Sequence, residues 1–194
     1  GRGIAPPLLH VDEAARATVS ERITGAPLFI ALADSSARGP AMASVVERLT
    51  ALHELDPAGI EETDPLVYGR GQHAAQGSRP GFPAWASALD PIFDSIETTL
   101  ARDPRRVVCH NDLNPGNILW DGARVWLVDW EVAGLGHPFY DLAVLAMFLQ
   151  LEDAVALHLL AQQERRPLEE AERVTFAALR RLAALMVGLT FLSL

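Results

Sequence analysis

Val107-Val-Cys-His110-Asn-Asp112-Leu-Asn114-Pro-Gly-Asn117-Ile-Leu-Trp120, then Trp126-Leu-Val-Asp129-Trp-Glu131, then His137-Pro-Phe-Tyr-Asp141, decides how this chain is read. Apolar Val107-Val108 reads as a strand that delivers a polar loop. Residues 118–120 and 125–129 read as two further strands, joined at Asp121-Gly122, a strong hairpin signal. The second strand ends in a carboxylate. His110, Asp112, Asn117 and Asp129 are thereby expected on one loop-and-hairpin face.

Outward from that segment, residues 8–11 and 17–23 read as two short strands around a polar turn. Thr24-Gly25-Ala26-Pro27 is a breaker and a hinge candidate. Residues 41–55 carry Val45, Leu49 and Leu52 on one helical face. Residues 56–83 are rich in Pro and Gly and read as a long loop. Residues 84–102 return to helical spacing, with Pro91 either kinking the helix or marking its start after Asp90. From Phe139 to Leu194 the pattern is helical, broken near Pro167. A strand pair, helices, a hairpin and more helices make an α+β chain rather than alternating β-α units.

The 194 residues are 49% hydrophobic and 21% charged, which suits a folded globular chain. The apolar run from Leu182 to Leu194 is interrupted by Gly188, Thr190 and Ser193 and is shorter than the about 20 residues a bilayer span needs. One cysteine, Cys109, excludes an intramolecular disulfide. No charged-then-apolar stretch opens the chain, and a cytoplasmic setting is expected. Sixteen basic against 25 acidic residues leave a net charge of −9. That balance disfavours nucleic acid and anionic membrane as partners and suits a cationic ligand. Every basic residue is Arg, so lysine chemistry is excluded within this chain.

Phosphoryl transfer needs a carboxylate beside the attacking hydroxyl and oxygen ligands for magnesium. Asp112 and Asn117 are five apart across a Pro-Gly turn, the spacing of a kinase catalytic loop with Asp as base and Asn as metal ligand. Asp129 stands where a second magnesium ligand belongs, and hard oxygen donors suit that ion.

His110-Asn-Asp112-Leu-Asn-Pro-Gly-Asn117-Ile-Leu, followed by Leu127-Val-Asp129-Trp-Glu131, resembles the catalytic and metal motifs of the aminoglycoside phosphotransferase and choline kinase family. These are small-molecule kinases with a protein-kinase-like fold. The resemblance is sharp over residues 107–145 and looser over 4–55. It implies a mostly helical C-lobe with a catalytic loop and β-hairpin over 28–194, and the end of a β N-lobe with its hinge over 1–27. It also implies Asp112 as the catalytic base, His110 as structural support of the loop, and Asn117 and Asp129 as magnesium ligands. The adenine of ATP would lie among Ile23, Leu28, Phe29, Ile118, Leu119 and Val128. The acceptor would be a hydroxyl of a small cationic molecule, an aminoglycoside or an amino alcohol of the choline or ethanolamine kind. The oligomeric state is left open.

Several residues carry competing readings. If the strand continues, Asp129 and Glu131 share a face, and Glu131 either helps place metal or receives the substrate's positive charge, or is a surface group satisfied by Arg124 or another Arg. Trp120, Trp126, Trp130 and Tyr140 are either hairpin packing or an aromatic wall for a quaternary ammonium. Asp141 either caps a helix or bonds back to the loop. Cys109 reads as a buried, inert thiol, and His10, His53, His73 and His158 default to the surface. Two other functions compete: a catalytically silent kinase-like binding domain, and a metal-dependent hydrolase using His110, Asp112, Asp129 and His137. The family's Gly-rich phosphate loop and lysine would lie before Gly1, so the chain is expected to be part of a longer polypeptide. Residues 1–194 alone are expected to show no micromolar ATP affinity by calorimetry; tight binding would overturn that expectation.

Overall fold

The computed structural model describes residues 3–192 apart from 78, 80 and 81. Among the described residues, seven short strands and seven α-helices follow the expected α+β order. Strands β1 (Leu8–Asp12) and β2 (Ala17–Ser20) form an exposed antiparallel hairpin. Strand β3 (Ala26–Pro27) falls in the segment expected to be a hinge and pairs with β5 (Ile118–Trp120), which in turn pairs with β6 (Val125–Leu127). A third pair joins β4 (Val107–Cys109) to β7 (Gly134–Gly136). The catalytic-loop candidates therefore lie between two small sheets.

The helices are α1 (Leu28–Ala31), α2 (Ser35–His53), α3 (Pro65–Gly77), α4 (Asp90–Leu100), α5 (Tyr140–Phe148), α6 (Asp153–Glu164) and α7 (Glu170–Leu192). Seven of the nine residues of α5 are buried, from Tyr140 to Ala146. A helix that is apolar all round must be enclosed, and α5 is enclosed by α6 and α7. Phe93, Leu49, Leu113, Ile118, Phe139 and Phe176 are among the largest fully buried side chains. The long apolar α7 has the length and composition of a membrane span, but Phe176, Leu179, Leu182 and Ala183 are buried, and the helix packs on α3, α4 and α5.

Some boundaries differ from expectation, each for a local reason. The expected loop 56–83 contains α3. Its three glycines hid the apolar period, yet Asp64-Pro65 is a proper start: the Asp64 carboxylate accepts from the N–H groups of Leu66 (2.8 Å) and Val67 (3.3 Å). Helix α2 begins at Ser35 rather than 41, because Asp34 caps it through Ser36 N–H at 2.8 Å. The expected helix over 84–102 is a 3₁₀ turn (Ala84–Leu89) followed by α4, with Pro91 in its first turn. Besides the break near Pro167, Gln150 and Arg165 interrupt the C-terminal pattern with positive φ. The parts of residues 1–194 at 1, 2, 78, 80, 81, 193 and 194 lie outside the described residues.

Residues 61–63 lie alongside β7, with Leu135 N–H donating to Glu61 O (2.8 Å) and Thr63 N–H to Leu135 O (3.0 Å). This close approach requires Gly134, where an added Cβ would stand 2.2 Å from Thr63 Oγ1 and 2.8 Å from Glu61 O. Gly134→Ala should therefore cost about 1–3 kcal/mol and lower Tm. Gly71, inside α3, has open space around it. Gly71→Ala should raise stability by about 0.5–1 kcal/mol. Thermal unfolding of both variants checks the opposite signs.

The α5 end of β7 is braced by polar contacts. His137 Nδ1 accepts from Phe139 N–H (3.1 Å), and Nε2 stands 3.1 Å from Asp103 Oδ2. Burial pushes the His137 imidazole down to about 4, against the pull of Asp103. Arg166, bonded to Glu172 at 2.6 and 2.8 Å, holds that carboxyl down to about 2. Below pH 6.5 the unfolded chain takes up a proton at His137 that the folded chain refuses, so stability falls as pH drops from 6.5 toward 4. The Glu172 contribution is present above pH 4.5 and is lost as pH falls through about 2. Tm measured against pH should show both declines, and His137→Gln should flatten the first.

Candidate functional site

The loop after β4 is held from behind. Asp141, in the first turn of α5, is completely buried. Its Oδ2 accepts from His110 N–H (2.9 Å) and its Oδ1 from Asn111 N–H (2.8 Å). Of the two readings of Asp141, the bond back to the loop is therefore the one observed; among the described residues no side chain caps the start of α5. The double bond holds Asn111 at φ +63, a conformation that Asn tolerates. His110, fully buried, meets Val128 O through Nε2 at 2.9 Å and packs at a tilt against Trp130, with ring centroids 4.6 Å apart. Its place is that of a support for the loop.

Val128 joins the site's two halves. Its N–H donates to Asn117 O (3.0 Å) while its carbonyl receives His110. The loop carrying Asp112 and the hairpin carrying Asp129 are thus tied at one residue. Asp112 Oδ2 accepts from Asn117 Nδ2 (2.8 Å) and Asn114 Nδ2 (3.1 Å). Asn117 Nδ2 also donates to Asp112 O at 3.0 Å. With its amide nitrogen committed to Asp112, Asn117 keeps its carbonyl oxygen as a hard donor. Asp129 follows β6, exposed and at φ +66. Two amides orient the Asp112 carboxylate, and Asp129 follows the Val128 tie as an exposed carboxylate; carboxylate and amide oxygens are donors of the kind that suit magnesium.

Other expectations are corrected. The strand ends at Leu127, and the left-handed turn at Asp129 breaks the alternation, so Glu131 does not share a strand face with Asp129. Arg124 lies over the Trp126 ring (4.5 Å) and beside Asp121 (3.9 Å). The aromatic residues do not form one wall. Trp126 Nε1 bonds Asp121 Oδ2 at 2.7 Å. Trp130 lines an apolar hollow with Leu52, Val108 and Ala133. Tyr140 lines a separate cavity of about 240 Å³ with Asp64, Glu97 and His137. Burial, then the charges of Asp141, Asp112 and Asp64, raise the Tyr140 phenol. Among the candidate adenine neighbours, Leu28 and Ile118 are fully buried in the core, whereas Ile23, Phe29, Leu119 and Val128 keep accessible surface. His137 is engaged by Phe139 and Asp103, and His110 by Val128, so the hydrolase constellation does not assemble.

One contributor and the burial of two histidines are not among the expectations from the sequence. Asn114 orients Asp112, and its Asx turn with Gly116 N–H (2.9 Å) was a usable local signal. His53 and His73, expected at the surface, are both largely buried. Nothing local marked them, because their burial depends on helices meeting distant elements.

A model of the phosphotransferase enzyme family matches residues 2–185. Over 59 residues the chain is 40% identical to the protein LicA of Haemophilus influenzae, covering 30% of this chain and 16% of that protein. The crystal structure of a choline/ethanolamine kinase family protein from Mesorhizobium loti superposes with a TM-score of 0.84 at 22% identity, covering 98% of this chain and 66% of that one. The aminoglycoside phosphotransferase APH(3'')-Id from Streptomyces rimosus, solved with ADP and streptomycin, gives a TM-score of 0.68 at 22% identity, covering 97% and 77%. The chain thus spans less than two thirds of the first two of these proteins. The kinase-like fold and the match along nearly its whole length establish that the chain belongs to the phosphotransferase enzyme family.

Proposed function

We propose that this chain carries the catalytic lobe of an ATP- and magnesium-dependent phosphotransferase that acts on a hydroxyl of a small cationic molecule. The observation that carries the reading is the fixed Asp112 carboxylate: both amides, Asn114 and Asn117, hold Oδ2, and Oδ1 has no hydrogen-bond partner among the described residues. Asp112 Oδ1 would accept the proton of the acceptor hydroxyl and aim its oxygen at the phosphorus. Asn117 and Asp129 would hold magnesium, which supplies charge neutralisation across the phosphates when bound. His110 and Asp141 keep this geometry without touching the reacting atoms. Residues 1–27 would end the nucleotide-side lobe and form the hinge, with residues 28–194 as the catalytic and acceptor side. A cytoplasmic setting would supply the nucleotide.

The acceptor class rests on the net charge of −9 and on the company the chain keeps: a choline/ethanolamine kinase family protein and a streptomycin-bound phosphotransferase. Amino alcohols and aminoglycosides are the first acceptors to assay. A silent binding domain is the second reading, favoured by the absence of any lysine in these residues.

The protein at its full natural length should consume ATP with magnesium and an acceptor from a panel of amino alcohols, aminoglycosides, homoserine and sugars. Asp112→Ala should lower turnover by about 10²–10⁴-fold, the range for loss of a general base, with an unchanged circular dichroism spectrum. Wild-type turnover in that variant would overturn the assignment. No turnover together with no ATP-dependent thermal shift would transfer the reading to the silent domain.

A further inference from the structure

Behind the catalytic loop three elements end at one point. His53 is the last residue of α2, Cys109 the last of β4, and Asp141 lies in the first turn of α5. One donor atom from each, an imidazole nitrogen, Sγ and a carboxylate oxygen, lies within 4.8 Å of the other two. Cys109 and Asp141 have no exposed surface. The His53 side chain is nine-tenths buried. Its Nε2 is shielded from solvent and has no hydrogen-bond partner among the described residues, although it points at Asp141 Oδ2 from 3.7 Å. That distance is too long for a hydrogen bond, and an unpaired imidazole nitrogen is costly in such a place.

We propose that His53, Cys109 and Asp141 form a binding site for a zinc-class divalent ion, distinct from the magnesium ligands of the catalytic face. The donor set is the argument. Imidazole, thiolate and carboxylate together suit zinc, whereas magnesium takes oxygen. Tetrahedral ligation with bonds of about 2.0–2.3 Å sets donors roughly 3.4–3.8 Å apart. The His53–Asp141 pair already meets that spacing, and Cys109 Sγ needs only a small inward movement from the 4.8 Å limit. Its present contact, a 3.5 Å bond to His137 O, is weak. Burial, and then the Asp141 charge, keep the thiol protonated. An entering dication supplies the opposite charge, the Sγ–metal bond forms, and the thiol proton leaves to buffer. Water would complete the fourth position.

Such an ion would cross-link α2, β4 and α5 at the carboxylate that holds His110 and Asn111. Binding to the folded chain alone raises its stability by mass action.

The test is equilibrium dialysis of the full-length protein against zinc with magnesium in excess, followed by metal analysis and thermal unfolding. Wild type should retain about one zinc per chain and gain Tm, as expected when an ion binds only the folded state. His53→Gln and Cys109→Ser, both accommodating in volume, should each lose the zinc and the Tm gain. With cobalt in place of zinc, wild type should show sulfur-to-metal charge-transfer absorption that Cys109→Ser lacks. No zinc retained by a folded wild type, or equal retention by both folded variants, would overturn the proposal. Should one variant fail to fold, the cobalt spectrum of wild type decides alone: absence of the sulfur band overturns it.

Discussion

The buried Asp141 carboxylate is the constraint on which the site depends. It has no exposed surface, so its charge requires partners from within the protein. It finds them in two consecutive backbone N–H groups, those of His110 and Asn111. The bond geometry links the start of the central helix α5 directly to the start of the polar loop after β4. Because α5 is enclosed by α6 and α7, the loop inherits the rigidity of the core rather than the mobility of a surface turn. The positive φ of Asn111 is sustained by this double bond.

From that anchor the functional geometry is transmitted through a short series of hydrogen bonds. His110 reaches across to Val128 O, Val128 N–H returns to Asn117, and the Asn117 amide holds Asp112. Each bond is modest alone, about 1 kcal/mol net. Together they set the position of Asp112 relative to Asp129, although the two lie on different elements. The site is consequently sensitive to groups that never meet a substrate, including the Gly134 contact with residues 61–63 that seats β7 beside the loop.

Much of this was legible in the residues. Asp112 and Asn117 meet within one turn, so their spacing alone implied the contact that the structure shows at 2.8 Å. The Asp121-Gly122 hairpin likewise needs only local chemistry, with Asp121 accepting from Ala123 and Arg124. Helix α3 is not legible in its apolar spacing, although Asp64-Pro65 marks its start, because glycines dilute the period that usually decides such a segment. The shared face of Asp129 and Glu131 failed because strand alternation was extended past Leu127, into a left-handed turn that a side-chain pattern does not reveal.

By itself, then, the sequence determined the fold class, the hairpin and the identity of the polar loop, since these follow from interactions among residues close in the chain. It also determined the family, because the loop's chemistry depends on the order of a few side chains. Only the tertiary structure decided that Asp141 bonds back to the loop, that Trp130 and Tyr140 line different hollows, and that His53 lies beside Cys109. Those outcomes depend on how helices and strands distant in sequence pack, and packing is settled by the shape and burial of the whole core rather than by any local pattern.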